Sequence, residues 1–171
     1  KYCPKVNHIK PIIDKKEDVK IWLNNLKDQS FIVKDVKDSE SKETPPPPFI
    51  TSSLQQSAYN KHGFNPKHTM QIAQKLYEGG HITYMRTDSV TLSSKFQNDA
   101  KEWIIKEYGE KYSKPRQYGK KNNQKTQDAH EAIRPININM KAPSDSQEAK
   151  LYKLIKLRAL ASQMCEALYY V

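Results

Sequence analysis

The sequence predicts a mainly α fold with a minor β component, and three observations carry that reading. Five stretches place apolar residues three and four positions apart, the spacing that lines one face of a helix. Alternating apolar residues, the mark of a half-buried strand, are confined to short runs. The run Pro45-Pro46-Pro47-Pro48 separates a short leading part from a longer, helix-rich one, because consecutive prolines hold the chain in an extended, semi-rigid polyproline II form.

Taken in order, Asp14 to Lys27 forms the first expected helix, with Val19, Leu23 and Leu26 on one side and Trp22 beside them. Ser30 to Val36 alternates around Phe31, Val33 and Val36 and reads as a strand with one buried face, which requires partner strands elsewhere. Lys37 to Glu43 is a charged stretch leading into the prolines, so a domain boundary is expected between residues 1–44 and 45–168. A hydroxyl-rich start, Thr51-Ser52-Ser53, opens a helix through Leu54 and Ala58 to about Gly63. Asn65-Pro66 supplies a cap and a first helical residue for the next one, which runs through Met70, Ala73, Leu76 and Tyr77 to Gly79-Gly80. These two helices with an extended stretch after them have the layout of a helix-turn-helix with a wing, a layout that any helical hairpin shares. Ser94 to Tyr108 is a further helix, with Phe96, Ala100, Trp103 and Ile104 on one side and Gly109 past its end. Ser146 to Leu168 is the longest helical pattern, and Tyr169-Tyr170-Val171 begins a strand.

Composition narrows the partners. The 171 residues suffice for one domain, or for one domain with a piece of another, and only 36% are hydrophobic. Lys and Arg number 29 against 19 acids, a formal charge of +10, which favours a polyanion such as nucleic acid or an anionic membrane surface. No apolar run reaches the roughly 18 residues of a membrane span, and no signal-peptide pattern opens the chain, so an intracellular protein is expected. Cys3 and Cys165 form no Cys-x-x-Cys, and the histidines show no metal-ligand spacing. Lys111 to Lys125 contains Lys111, Lys114, Arg116, Lys120, Lys121 and Lys125 and no acid, a basic loop suited to nucleic-acid backbone or simply to solvent.

The chemistry concentrates after Gly79-Gly80, in His81-Ile82-Thr83-Tyr84-Met85-Arg86-Thr87-Asp88-Ser89. A phenol, a guanidinium, a hydroxyl and a carboxylate within a few residues make a kit for attacking a phosphodiester. If Ile82 to Arg86 is extended, Tyr84 and Arg86 project to one face, because side chains alternate along a strand. A phenol with a pKa of about 10 is ionised to roughly one part in a thousand at neutral pH, so it needs help to attack. Arg86 keeps its charge and can hold phosphate oxygens in a planar fork. Further on, Asp128, His130, Glu131 and Arg134 crowd a short run that Pro135 stops.

Three motifs, Pro48-Phe49-Ile50-Thr51-Ser52-Ser53-Leu54-Gln55-Gln56, Ile82 to Ser89, and Ala129-His130-Glu131-Ala132-Ile133-Arg134-Pro135, stand in an order and spacing that strongly resemble the type IA DNA topoisomerases of the bacterial topoisomerase I kind. The likeness is strong from about Pro47 to Arg134 and weaker from Leu151 to Met164, while Lys1 to Glu43 is similar only in layout. The resemblance implies that Tyr84 breaks one DNA strand by joining its 5′ phosphate and freeing a 3′ hydroxyl. A second strand then passes and the break is resealed, which relaxes negative supercoils without ATP. It implies a toroidal parent enzyme in which residues 45–168 form a helical, winged-helix-like gate domain. Residues 1–44 would belong to a β-rich arch, and 169–171 would begin the strand that returns to it.

By the same resemblance Arg86 supports the phosphate, and Asp88 and His130 orient the DNA backbone. Gln74 and Glu78, one helical turn apart, face the pocket, and Thr83 and Thr87 bond within it. The implied Mg²⁺ is bound by a TOPRIM domain; its Asp-x-Asp-x-Glu is absent here, so the chain reads as a fragment that is inactive alone. The implied partners are DNA, chiefly single-stranded segments of negatively supercoiled DNA, and that TOPRIM domain, with the protein located with DNA inside the cell. A basic winged-helix module that grips duplex DNA without chemistry is the competing reading. A tyrosine recombinase would need a set of Arg and His residues that cannot be placed.

Overall fold

The computed structural model describes residues 15–27, 30, 32–119 and 131–170. The chain divides into two units, Lys1–Lys42 with Leu168–Val171, and Glu43–Ala167.

In the first unit the expected helix forms as α1, Lys16–Leu26, with Glu17 and Asp18 in its first turn, where negative charge suits the helix dipole. The expected strand with a buried face at 30–36 does not form. Ile32, Val33 and Val36 are 85%, 78% and 74% exposed, and no strand pairs with this segment among the described residues. Alternation becomes a strand only where a neighbour takes up the backbone N–H and C=O groups. Such a neighbour exists further on: the charged stretch supplies β1, Glu40–Glu43, which pairs with β2, Ala167–Tyr170. Every residue of both strands is exposed.

The second unit is helical, and its helices begin and end where local chemistry dictates. The first, α2, spans Thr51–His62 and stops at Gly63, whose φ of +71° suits a residue without a Cβ. Asn65 caps α3, Pro66–Glu78, by accepting the His68 N–H at 2.8 Å. Ser93 caps α4, Ser94–Tyr108, and a 3₁₀ turn, Glu110–Tyr112, follows. Asp145 accepts the N–H groups of Gln147 and Glu148 at the start of α5, Ser146–Ala161.

The last helix is shorter than its apolar spacing suggests. It ends at Ala161 because Gln163, fully buried, is drawn into a clasp with residues 112–116, while the neighbouring Ser162 carbonyl accepts from the Tyr118 hydroxyl. The Gln163 amide accepts from the Arg116 N–H at 3.1 Å and donates to the Arg116 carbonyl at 3.2 Å. The Lys114 and Cys165 N–H groups donate to the carbonyls of Gln163 and Tyr112. A buried amide left without these partners would cost about 1–3 kcal/mol.

Two hydrophobic clusters support this unit. Leu54, Ala58, Ile72, Leu76, Ile82, Met85 and Ile155 belong to the first, and Phe96, Ala100, Ile104, Ile138 and Leu160 to the second. Each fully buried aliphatic side chain contributes roughly 1.5–3 kcal/mol. The extended pair Ala132-Ile133 serves both, with Ala132 in the second cluster and Ile133 in the first, as side chains alternating across a chain must. Helices α2, α3 and α5 pack on one another, and the segment that follows α3 is held over the first cluster.

Candidate active site

The segment carrying Tyr84 leaves α3 through a tight turn. The Gly80 N–H donates to the Tyr77 carbonyl, the His81 N–H to that of Leu76, and Gly80 takes a φ of +71°. The strand expected at 82–86 is a single antiparallel bridge, Ile82 to Pro135, followed by bends. Side-chain hydroxyls replace the missing ladder. Thr83 Oγ1 donates to the Ala132 carbonyl at 2.7 Å and accepts the Arg134 N–H at 3.0 Å, while the Thr83 N–H donates to the Arg134 carbonyl at 2.9 Å.

Beyond Tyr84 a second threonine does the same work. Thr51 Oγ1, at the first residue of α2, donates to the Met85 carbonyl at 2.8 Å and accepts the Thr87 N–H at 2.9 Å. The Thr51 N–H returns a bond to the Thr87 carbonyl at 3.0 Å. Met85, 1% exposed, is the anchor that turns inward, and Thr87, 8% exposed, accepts the Ser89 N–H on its own hydroxyl. Tyr84, Arg86 and Asp88 are left facing solvent. The alternation expected of a strand is therefore present from Tyr84 to Asp88 without a strand.

The site residues fall around this row. Gln74 and Glu78 on α3 bond to each other, Nε2 to Oε1 at 2.6 Å, and Tyr77 between them meets the Tyr84 ring edge-on with centroids 5.3 Å apart. Arg86 and Gln74 both border a cleft of about 820 Å³ between α3 and the start of α5, which Gln55, Lys67 and Gln71 also line. On its other side Arg86 joins Thr51, Ser52, Thr87 and Asp88 around a shallower hollow at the start of α2. Among the described residues no hydrogen bond or ion pair engages the Arg86 guanidinium, so its fork is open to an oxyanion. Thr83 and Thr87 act within the fold, tying backbone. His130 lies outside the described residues, as do Lys120, Lys121 and Lys125 of the basic loop.

Two other cations of that loop are committed elsewhere. Lys114 Nζ and an Arg116 Nη2 both pair with Glu166 Oε1, at 2.8 and 2.7 Å, and Arg116 also donates to the Met164 carbonyl. The Lys114 bond, and then those from the backbone and Arg116, hold the Glu166 carboxyl down at about 2. Arg134 is likewise internal. It bonds Glu131, the Pro135 carbonyl and Ser93, and its guanidinium lies 4.9 Å from the centre of the Phe96 ring.

Sequence reasoning missed Thr51 as a tie and Tyr77 as a neighbour of Tyr84. Thr51 reads locally as a helix start, and Tyr77 as one more apolar position of α3. Among the described residues no three of His, Cys, Asp and Glu converge as a metal site requires. The Mg²⁺ implied by the resemblance has no cradle among them.

The helical unit presents an exposed row of Tyr84, Arg86 and Asp88, and comparison with known proteins identifies its family. A family model described as DNA topoisomerase matches residues 3–170, and the chain belongs to that family. It is 49% identical to the DNA topoisomerase 1 of Rickettsia bellii, over 86% of this chain and 20% of that protein. To the Campylobacter jejuni DNA topoisomerase 1 it is 44% identical, over 91% of this chain and 24% of the relative. The full-length topoisomerase I structure from Thermotoga maritima superposes with a TM-score of 0.71 at 40% identity, covering 91% of this chain and 26% of that one. The chain thus spans about a fifth to a quarter of the length of the relatives it matches.

Proposed function

We propose that this chain is the tyrosine-bearing part of a type IA DNA topoisomerase and that Tyr84 is its nucleophile. The phenol gives up its proton, and its oxygen attacks the phosphorus of a single-stranded segment. The Tyr84 Oη–P bond forms as the P–O3′ bond breaks, and the released 3′ oxygen takes a proton. Resealing reverses these changes after another strand has passed, which relaxes negatively supercoiled DNA. Arg86 holds the non-bridging oxygens as charge grows on them. Asp88 with His130 orients the DNA backbone, and Gln74 and Glu78 border the strand. Thr83 and Thr87 contribute by fixing the backbone on either side of the nucleophile.

In this reading residues 45–168 are the winged-helix-like gate domain, residues 1–44 and 169–171 belong to the β-rich arch, and Mg²⁺ sits in a TOPRIM domain outside this chain. The protein works where DNA is. The observation that carries the reading is the outward row Tyr84, Arg86, Asp88, interleaved with Met85 and Thr87 turned inward. Membership of the topoisomerase family supports it over a binding module without chemistry.

The test uses the full-length protein and a single-stranded oligonucleotide labelled at one end or the other, with the reaction stopped by detergent. The 3′-labelled fragment should stay on the protein and the 5′-labelled one should be released with a free hydroxyl. Retention of the 5′-labelled fragment, or no adduct at all, contradicts the proposal. Residues 1–171 alone are expected not to sustain relaxation of a negatively supercoiled plasmid.

A further inference from the structure

We infer that Gln55 reads a base next to the phosphate held by Arg86, and that the cleft between α3 and the start of α5 receives that base. This rests on the reading of Tyr84 as nucleophile and of Arg86 as the group that holds its phosphate. Two hollows meet at Arg86, the cleft of about 820 Å³ and the shallower one at the start of α2. Among the described residues Gln55 and Arg86 alone line both. A phosphate on the Arg86 fork therefore has Gln55 as its neighbour whichever way the strand runs, and the nucleotides on its two sides fall toward the two hollows.

The chemistry of the cleft separates a base from a phosphate. Asp145 and Glu148 stand on its α5 side, where carboxylates repel phosphate, whereas Met70 and the buried Ile72 offer apolar surface to the face of a base. A glutamine amide carries donors and an acceptor side by side, so a base edge can satisfy both, while a phosphate, which only accepts, leaves the amide oxygen unmatched. Elsewhere in this unit glutamine amides hold the fold: Gln163 grips the Arg116 backbone, Gln97 bonds the Arg116 carbonyl, and Gln74 bonds Glu78. The Gln55 side chain, half-buried on α2, makes no such bond among the described residues. Bases of a single strand can be splayed out to present their edges, which a duplex shows only in its grooves.

The test sets base against residue. In the full-length protein, single-turnover cleavage of a labelled single-stranded oligonucleotide is measured with one abasic nucleotide stepped through the two positions on each side of the break. At one position, loss of the base should slow cleavage by the unchanged protein about five- to 150-fold, the worth of one bidentate amide–base pair. Gln55→Leu should slow cleavage of the complete oligonucleotide by a similar factor and add nothing when that position is abasic. Gln55→Glu keeps an acceptor and loses the donors, so base preference there should shift, relative to the unchanged protein, toward cytosine, whose amino group donates. That shift is a ratio of rates, so it is read whatever the overall rate, and it decides the matter if the leucine variant fails to fold. Equal slowing by Gln55→Leu on every oligonucleotide, the abasic ones included, would make Gln55 a structural residue and overturn the inference. Unchanged cleavage by that variant, or an unchanged base preference in Gln55→Glu, would overturn it as well. Mapping the adduct keeps the two readings apart: an adduct on Tyr84 together with any of those outcomes removes the role of Gln55 alone, whereas an adduct on another residue removes the nucleophile reading.

Discussion

Residues 30–36 and residues 82–88 are both short runs in which an extended chain would alternate its side chains, and neither becomes a strand among the described residues. Their outcomes differ. Ile32, Val33 and Val36 stand open to solvent, whereas Met85 and Thr87 are buried and Tyr84, Arg86 and Asp88 face outward in register. The contrast teaches that alternation acquires meaning from what ties the backbone. At 82–88 the ties come from two threonines, Thr83 on the segment and Thr51 from α2, which bond carbonyls and N–H groups that a ladder would otherwise take. In the first segment no described residue plays that part.

The comparison can be broken most severely at its outward row. Arg86→Ala in the full-length protein should slow single-turnover cleavage about a hundredfold, or about 3 kcal/mol in the barrier, with only a modest change in oligonucleotide Kd. Arg86→Lys should also be impaired, because an ammonium keeps the charge and loses the fork. Equal cleavage by the lysine variant and the unchanged protein would reduce Arg86 to a point charge.

The ties themselves come next. Thr83→Val keeps the shape and removes the hydroxyl, leaving the Ala132 carbonyl and the Arg134 N–H each short of a bond, and should cost about 1–3 kcal/mol in urea unfolding. A loss within error would mean that the backbone of 82–88 is held by burial alone.

These ties mark the limit of what the sequence discloses. The caps Asn65 and Ser93 and the stop at Gly63 act within a few residues, so helices α2 to α4 could be placed from the chain itself. That Tyr84 and Arg86 share a side followed from alternation. The partners of Thr51 stand 34 and 36 residues away and those of Thr83 about 50, and no local pattern announces them. The end of α5 is hidden from the sequence for the same reason, since Gln163 bonds Arg116 across 47 positions. The strand expected at 30–36 failed because a pattern of side chains cannot say whether a backbone partner exists.

A smaller effect sharpens the comparison at the clasp that ends α5. Glu166 has its pKa lowered from 4.5 to about 2 by Lys114 and Arg116, so its contribution to stability is full above the unfolded value and is lost as pH falls through that window. Thermal melts between about pH 4.5 and 2 should therefore drop more steeply for the unchanged protein than for Glu166→Gln. Parallel curves would show that the clasp adds nothing to the folded state. Smallest of all, Val33→Thr, at a side chain 78% exposed, should change stability by no more than about 0.5 kcal/mol in urea unfolding. A larger loss would mean that the 30–36 segment is packed.

The most direct test maps the covalent bond. The full-length protein is trapped with a single-stranded oligonucleotide, the DNA is trimmed by nuclease, and the tryptic peptides are fragmented in a mass spectrometer. The peptide from Leu76 to Arg86 holds both Tyr77 and Tyr84, so the fragment series distinguishes them. The account predicts a nucleotide mass on Tyr84, none on Tyr77 or the other eight of the ten tyrosines, and no adduct in Tyr84→Phe. A nucleotide on any other residue, or an undiminished adduct in Tyr84→Phe, would contradict it.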